Sequence, residues 1–285
     1  MNLVATALAV AAAAATIQVE PILSIDMKRP AIQGLSLAVV QGAEPLAWAG
    51  ASLAGGDING DGIADLVIGA PGGSDDRPSR RGRIYVLYGG VARPRATVDL
   101  ALRRRPSVNE PGKSVVASEA DVIIEGRDDF DHLGAALAVA DTDGDGFADI
   151  VAGAPRADGP GNARPDCGEV VILHGATNLP PLIDLKMLEP GALPPAPRLR
   201  LVVGRSAGDV FGSALVAGDV NADGLIDLVV GAPLADQTPG TMTALDAGEC
   251  YLLPGTREPR AVVDLGDASA VAPVTVLRGA DPADQ

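Results

Sequence analysis

Phe211-Gly212-Ser213-Ala214-Leu215, then Asp219-Val220-Asn221-Ala222-Asp223-Gly224-Leu225-Ile226-Asp227, then Leu228-Val229-Val230-Gly231-Ala232-Pro233 is one frame of three parts, and it occurs three times in the chain. The first copy runs Gly50-Ala51-Ser52-Leu53, Asp57-Ile58-Asn59-Gly60-Asp61-Gly62-Ile63-Ala64-Asp65 and Leu66-Val67-Ile68-Gly69-Ala70-Pro71. The second runs Gly134-Ala135-Ala136-Leu137, Asp141-Thr142-Asp143-Gly144-Asp145-Gly146-Phe147-Ala148-Asp149 and Ile150-Val151-Ala152-Gly153-Ala154-Pro155. In each, the first Asp follows the leading Gly by seven residues. Internal repetition of this kind decides a fold before any single residue does.

Each middle segment reads D-x-[DN]-x-D-G-x-x-D. Ca²⁺ takes six to eight oxygens at about 2.3–2.6 Å. Oxygens at positions 1, 3 and 5 converge when the loop curls tightly, and the Gly at position 6 permits the turn. The expected ligands are the side chains of Asp57, Asn59, Asp61 and Asp65, of Asp141, Asp143, Asp145 and Asp149, and of Asp219, Asn221, Asp223 and Asp227. The position-7 carbonyls of Ile63, Phe147 and Leu225 complete three predicted Ca²⁺ sites. An EF-hand shares the spacing but needs Glu at position 12. Here Ile68, Ala152 and Val230 stand there, and β-branched flanks join two strands rather than two helices. A lone copy reads equally well as an Asn/Asp/Gly hairpin turn; three copies in register favour metal. The second loop has an extra carboxylate, Asp143, and is expected to bind most tightly.

The frame continues downstream. A β-rich run follows each Gly-Ala-Pro: Arg83–Tyr88, Glu169–Leu173 and Glu249–Leu253. Then come Val98-Asp99-Leu100, Ile183-Asp184-Leu185 and Val263-Asp264-Leu265, with Ile25-Asp26-Met27 as a possible earlier copy. A last strand leads to Gly126, Gly204 or Gly279. Seven residues beyond the first two come Leu133-Gly134 and Phe211-Gly212; the first copy has Ala49-Gly50, with Trp48 supplying the bulk. Each unit reads as about four short strands with Gly/Pro-rich turns, the content of one propeller blade. Successive first Asp residues are 84 and then 78 positions apart, longer than a typical blade of about 40–50 residues. The excess is assigned to loops, mainly 101–120 and 191–197. Arg103-Arg104-Arg105 and Lys113 in the first read as a solvated loop or as a docking patch for an acidic partner.

Composition fits this picture. Apolar residues are 47% of 285 and aromatics 2%, so the core is aliphatic. The net charge of −15 argues against nucleic acid as a partner. Ten carboxylates lie in the three loops, and three Ca²⁺ would bring −15 to −9. Without metal, their crowding is expected to raise pKa values and loosen the hairpins. Cys167 and Cys250 form no zinc motif and are expected to be free and buried, the alternative being a disulfide that links neighbouring units. Residues 1–20 read as a signal peptide and leader, or as an Ala-rich N-terminal element, and no stretch is long enough to span a membrane. The final residues align with the start of a fourth copy, so the chain is expected to be part of a longer one.

Hydrophobic-Gly, then the Asp loop, then Gly-Ala-Pro resembles the FG-GAP repeat of the integrin α-subunit propeller. Phe211-Gly212 with Gly231-Ala232-Pro233 is the fullest match; Ala49 and Leu133 depart from the Phe. The resemblance implies an all-β fold: FG-GAP propeller blades of four antiparallel strands in an incomplete ring, about three full blades plus partial ones. The repeats are expected over 21–285, in units of about 21–90, 91–175, 176–255 and a partial 256–285. It also implies calcium in the hairpins and a ligand face at the opposite end, on loops 72–82, 156–168 and 234–248. The expected function is a calcium-stapled extracellular module for adhesion or interaction with a protein or matrix-like ligand. The alternatives are the non-catalytic propeller of a larger secreted, phospholipase D-like enzyme, and a lectin-like sugar binder, which the near absence of exposed-looking aromatics disfavours. Neither His132 nor His174 belongs to a nucleophile motif, so no catalytic residue is expected.

Overall fold

The structure, a computed structural model, describes residues 39–43, 46–72, 81–90, 97–101, 103–106, 114–187, 198–236, 247–257, 260–267 and 274–279. The signal segment, Ile25-Asp26-Met27, Lys113 and most of loops 72–82 and 234–248 lie outside them.

Strand β1 (Val39–Gln41) precedes the first frame. That frame supplies β2 (Ser52–Gly56), β3 (Asp65–Ala70) and β4 (Arg83–Leu87), then β5 (Thr97–Asp99). The long insert carries β6 (Arg103–Pro106) and β7 (Ser114–Ala117), and β8 (Val122–Glu125) follows. The second frame gives β9 (Ala136–Ala140), β10 (Asp149–Ala154), β11 (Glu169–Leu173), β12 (Leu182–Asp184) and β13 (Leu199–Val203). The third gives β14 (Ala214–Gly218), β15 (Asp227–Ala232), β16 (Glu249–Leu253), β17 (Val262–Asp264) and β18 (Thr275–Arg278). No α-helix occurs among the described residues, and hence no helix long and apolar enough to cross a membrane.

Three antiparallel four-stranded blades result: β2-β3-β4-β8, β9-β10-β11-β13 and β14-β15-β16-β18. The middle strands are near-continuous runs of Val, Ile, Leu, Ala and Gly, as expected for strands covered on both faces. All residues of β4, β10 and β11 are buried. Alternate side chains serve alternate neighbours. Val67, Ile84, Val86, Val122 and Ile124 of blade one meet Ile150, Ala152, Leu173, Leu199 and Leu201 of blade two. Val151, Val170, Ile172 and Val202 of blade two meet Leu228, Val230, Tyr251 and Leu253 of blade three. With so few aromatics, stability is a sum of aliphatic contributions of roughly 1.5–3 kcal/mol each. The first strands β2, β9 and β14 lie side by side where the sheets converge.

The frame's glycines have a packing reason. The amide of Gly134 donates to the carbonyl of Gly153 at 2.9 Å, and that of Gly212 to Gly231 at 3.0 Å, closing each blade. A Cβ on Gly153 would strike the carbonyl oxygen of Gly212 in the next blade, and one on Gly69 that of Gly134. Gly134 and Gly212 themselves have φ of 86° and 89°, so both halves of the motif need glycine.

Four details correct the sequence reading. The hydrophobic-Asp-hydrophobic element is not a strand of its own blade. β12 pairs parallel with β8 and β17 with β13, so each ties the previous blade to its own; β5 pairs with β1 in the same way. Asp184 accepts from Arg81 at 2.7 Å, and Asp264 from Arg164 at 2.7 Å, fastening those ties. The fourth strands of blades one and two begin at Val122 and Leu199. Residues 103–117 contain a paired hairpin, β6 with β7, rather than only loop. Trp48 does not fill the core: it is 58% exposed, has a φ of 56° and stands edge-on to His132 at 6.3 Å. Both cysteines are free, but only Cys167 is buried; Cys250 lies on the outer face of blade three.

Candidate metal centres

The three Asp loops join the first and second strands of each blade, at one end of the sheets. Their internal bonding repeats. The position-1 carboxylate caps the loop's own amides: Asp57 accepts from Gly60 at 2.8 Å, Asp61 at 3.0 Å and Gly62 at 2.8 Å. Asp141 accepts from Gly144, Asp145 and Gly146, and Asp219 from Asp223 and Gly224. Position 3 accepts from the amide of position 5, at 2.9 Å for Asn59, 3.3 Å for Asp143 and 2.8 Å for Asn221. Position 5 accepts from position 7: Asp61 from Ile63, Asp145 from Phe147, Asp223 from Leu225. These bonds draw the side chains at 1, 3 and 5 to one centre.

Position 9 does something the spacing did not reveal. Asp65, Asp149 and Asp227 are 2%, 0% and 0% exposed. One oxygen of each accepts from the amide at position 2: Ile58 at 2.8 Å, Thr142 at 2.9 Å, Val220 at 3.0 Å. The other accepts from the Gly beyond the third strand: Gly89 at 2.9 Å, Gly175 at 3.0 Å, Gly255 at 2.8 Å. Position 9 thus staples the hairpin to its blade. A carboxylate oxygen has more than one acceptor site, so this bonding is compatible with metal ligation.

The donor set fits Ca²⁺. Carboxylate oxygens of Asp141, Asp143 and Asp145 lie within 4.8 Å of one another. Oxygens across one Ca²⁺ stand at most roughly 5 Å apart. In the first and third loops, Asn59 Nδ2 donates to Asp61 Oδ2 at 3.1 Å and Asn221 Nδ2 to Asp223 Oδ2 at 2.9 Å, holding positions 3 and 5 together. The carbonyls of Ile63, Phe147 and Leu225 belong to the same turns.

Electrostatics partly match the expected crowding. Burial, and then Asp143, Asp149 and Asp141, hold Asp145 above the usual carboxylate range. Burial raises Asp65 despite amide bonds from Gly89 and Ile58. Asp149 goes the other way: burial pushes it up, but the His174 and Thr142 bonds bring it below its ordinary value.

Two residues at the second loop were not recognised from sequence. His174 Nδ1 lies 3.2 Å from Asp143 Oδ2 and 3.3 Å from Asp149 Oδ1. Arg198 Nη2 donates to Asp143 Oδ2 at 2.6 Å. They occupy the places of Tyr88 and Asp121 in blade one, and only that difference between copies signalled them. Arg198 offsets part of the extra charge that Asp143 brings to this loop.

At the other end of the sheets, loop 156–168 is ordered around a turn at Pro160–Asn162, and Asp158 accepts from the Asp166 amide at 2.9 Å. Trp48 and Phe130 are 58% and 48% exposed at this end, more aromatic surface than the sequence suggested.

Blades of this topology, with an acidic hairpin on each, define a β-propeller repeat protein. The chain carries three FG-GAP repeats: the FG-GAP repeat family model matches residues 49–87, 133–166 and 211–252. It is 32% identical over 194 residues to phosphatidylinositol-glycan-specific phospholipase D of Rattus norvegicus, covering 67% of this chain and 19% of that protein. It is 32% identical over 200 residues to integrin alpha-PS2 of Drosophila melanogaster, covering 66% and 12%. With integrin alpha pat-2 of Caenorhabditis elegans it shares 26% over 220 residues, covering 73% and 14%. The chain thus spans about a fifth or less of the length of these relatives.

Proposed function

We propose that this chain is a calcium-binding propeller module of a secreted or surface protein, serving recognition rather than catalysis. The observation that carries the reading is the repeated hydrogen-bond pattern in all three Asp loops, which converges the same oxygens at the same end of each blade. Calcium here is structural. Each ion would be held by the side chains at positions 1, 3, 5 and 9 and the position-7 carbonyl, and would offset the burial, and the lesser repulsion, that keep Asp145 and Asp65 above the usual range. Recognition of a protein or matrix-like ligand is assigned to the opposite end of the sheets. A second reading, the non-catalytic propeller of a larger enzyme, is favoured by the phospholipase D similarity. Calcium titration of chelator-treated protein tests the shared claim: saturable binding with a raised Tm is expected, and no binding at millimolar calcium would reject it.

A further inference from the structure

Blade two departs from its neighbours at three positions that fall together in space. Position 2 of its Asp loop is Thr142, where the other loops have Ile58 and Val220. Position 3 is Asp143, where they have Asn59 and Asn221. The residue after its third strand is His174, where they have Tyr88 and Pro254. The His174 amide donates to the Arg198 carbonyl at 3.0 Å, which fixes the backbone beside the loop. The Thr142 hydroxyl donates to Asp149 Oδ2, and the Gly175 amide donates to Asp149 Oδ1 at 3.0 Å.

His174, Asp143 and Asp149 are 4%, 7% and 0% exposed. Their ligand atoms all lie within 4.8 Å of one another. His174 Nδ1 stands 3.2 Å from Asp143 Oδ2 and 3.3 Å from Asp149 Oδ1, yet it makes a well-directed hydrogen bond to neither. Two donors that each lie about 2.0–2.1 Å from one tetrahedral ion stand roughly 3.3 Å apart. A buried ring nitrogen aimed between two carboxylate oxygens at that spacing fits a shared ion better than a bond to either oxygen.

We propose that His174 Nδ1, Asp143 and Asp149 form a site for a first-row transition ion, with Zn²⁺ as the best match, at the root of the second Asp loop. The nitrogen sets it apart from the calcium sites, since Ca²⁺ takes oxygen ligands and imidazole suits Zn²⁺. One imidazole and two carboxylates supply three of the four ligands of a tetrahedral ion, and water completes the set. Thr142 and Gly175 hold Asp149 as outer contacts hold a ligating carboxylate. Blades one and three lack the site, because neither has the His or the position-3 carboxylate. Arg198 neutralises Asp143 when the ion is away: its Nη2 lies 2.6 Å from Asp143 Oδ2 and its Nη1 3.5 Å from Asp145 Oδ2. Its side chain is 40% exposed, so it can move into solvent and yield that oxygen. A bound ion would tie the β9–β10 hairpin to the end of β11.

The inference goes beyond the calcium reading and shares only Asp143 and Asp149 with it. The test is calorimetric titration of the chelator-treated whole chain with Zn²⁺ at neutral pH, in a Cys250→Ser background that removes the exposed thiol. One zinc per chain is expected. His174→Tyr, which installs the residue of blade one, and Asp143→Asn, which installs that of the other two loops, are each expected to weaken uptake at least tenfold. Arg198→Ala is expected to tighten it. His174→Gln carries the test if His174→Tyr does not fold. No zinc uptake overturns the proposal. Uptake of equal strength in the His174 variants also overturns it and assigns the zinc to an adventitious surface site. The Tm rise of zinc-free parent protein with calcium is read separately, so failure of the zinc site and failure of the calcium reading are told apart.

Discussion

Gly69 and Gly153 sit where one blade touches the next, and their surroundings allow no Cβ. Gly153→Ala is expected to cost about 3 kcal/mol, the upper part of the overpacking range. Gly218→Ala, with no atom within 4 Å of its would-be Cβ, is expected to stay within about 1 kcal/mol. Denaturant unfolding of the two variants checks the contrast. Asp131 and Asp209, each two residues before the frame's hydrophobic residue, form a second residue-scale case. Burial raises them to about 7 and about 6, against one amide bond apiece from Asp128 and Ser206. Their folded pKa values exceed the unfolded ones, so the stability they allow is full below about pH 4 and is lost as pH rises through 6 and 7. Asp131→Asn should therefore match the parent at pH 4 and be more stable at pH 8, by roughly 4 kcal/mol at most. A melting series over pH, at fixed calcium, reads this; a flat difference would refute it. The frame's glycines were legible because the frame repeats. The raised carboxyls were not, because their burial comes from residues distant in sequence.

The Asp loop is the element that carries the account. Its positions 1, 3, 5 and 6 were readable from spacing, since each acts within nine residues. The staple at position 9 was not, because its second partner is a glycine beyond the next strand: Gly89, Gly175 or Gly255. Position 4 also escaped notice. Gly60, Gly144 and Ala222 all have positive φ, so the third loop holds an alanine where glycine is at ease. The second loop differs by its cation. Arg198→Ala is expected to tighten calcium at that loop and leave the other two unchanged, because Arg198 competes for Asp143. Calorimetry resolving three sites would show it, and weaker binding at the second loop would contradict it. Element order misled once: the short Ile183-Asp184-Leu185 type segment has the alternation of a strand, but nothing in it says that its partner belongs to the blade before.

At the scale of the molecule, the FG-GAP frame repeats as blades that meet face to face. The apolar pattern announced the strands, and the near absence of aromatics announced a core of Val, Ile and Leu. What it could not announce is the uneven settlement of charge at the far end of the blades, where two close a cross-strand ion pair and in the middle one Glu169 stands opposite Val203. The acidity is organised too: much of the −15 charge stands in three loops at one end. Calcium, as proposed, is therefore a condition of the molecule's stability rather than of one loop. The most direct test is calcium binding to chelator-treated protein, with stoichiometry by calorimetry and Tm measured in parallel. Three ions per chain and a Tm that climbs with calcium are expected, each site adding about 2.7 kcal/mol at a hundredfold excess over its Kd. A folded chain that takes up no calcium, with Tm the same in chelator and in millimolar calcium, would contradict it.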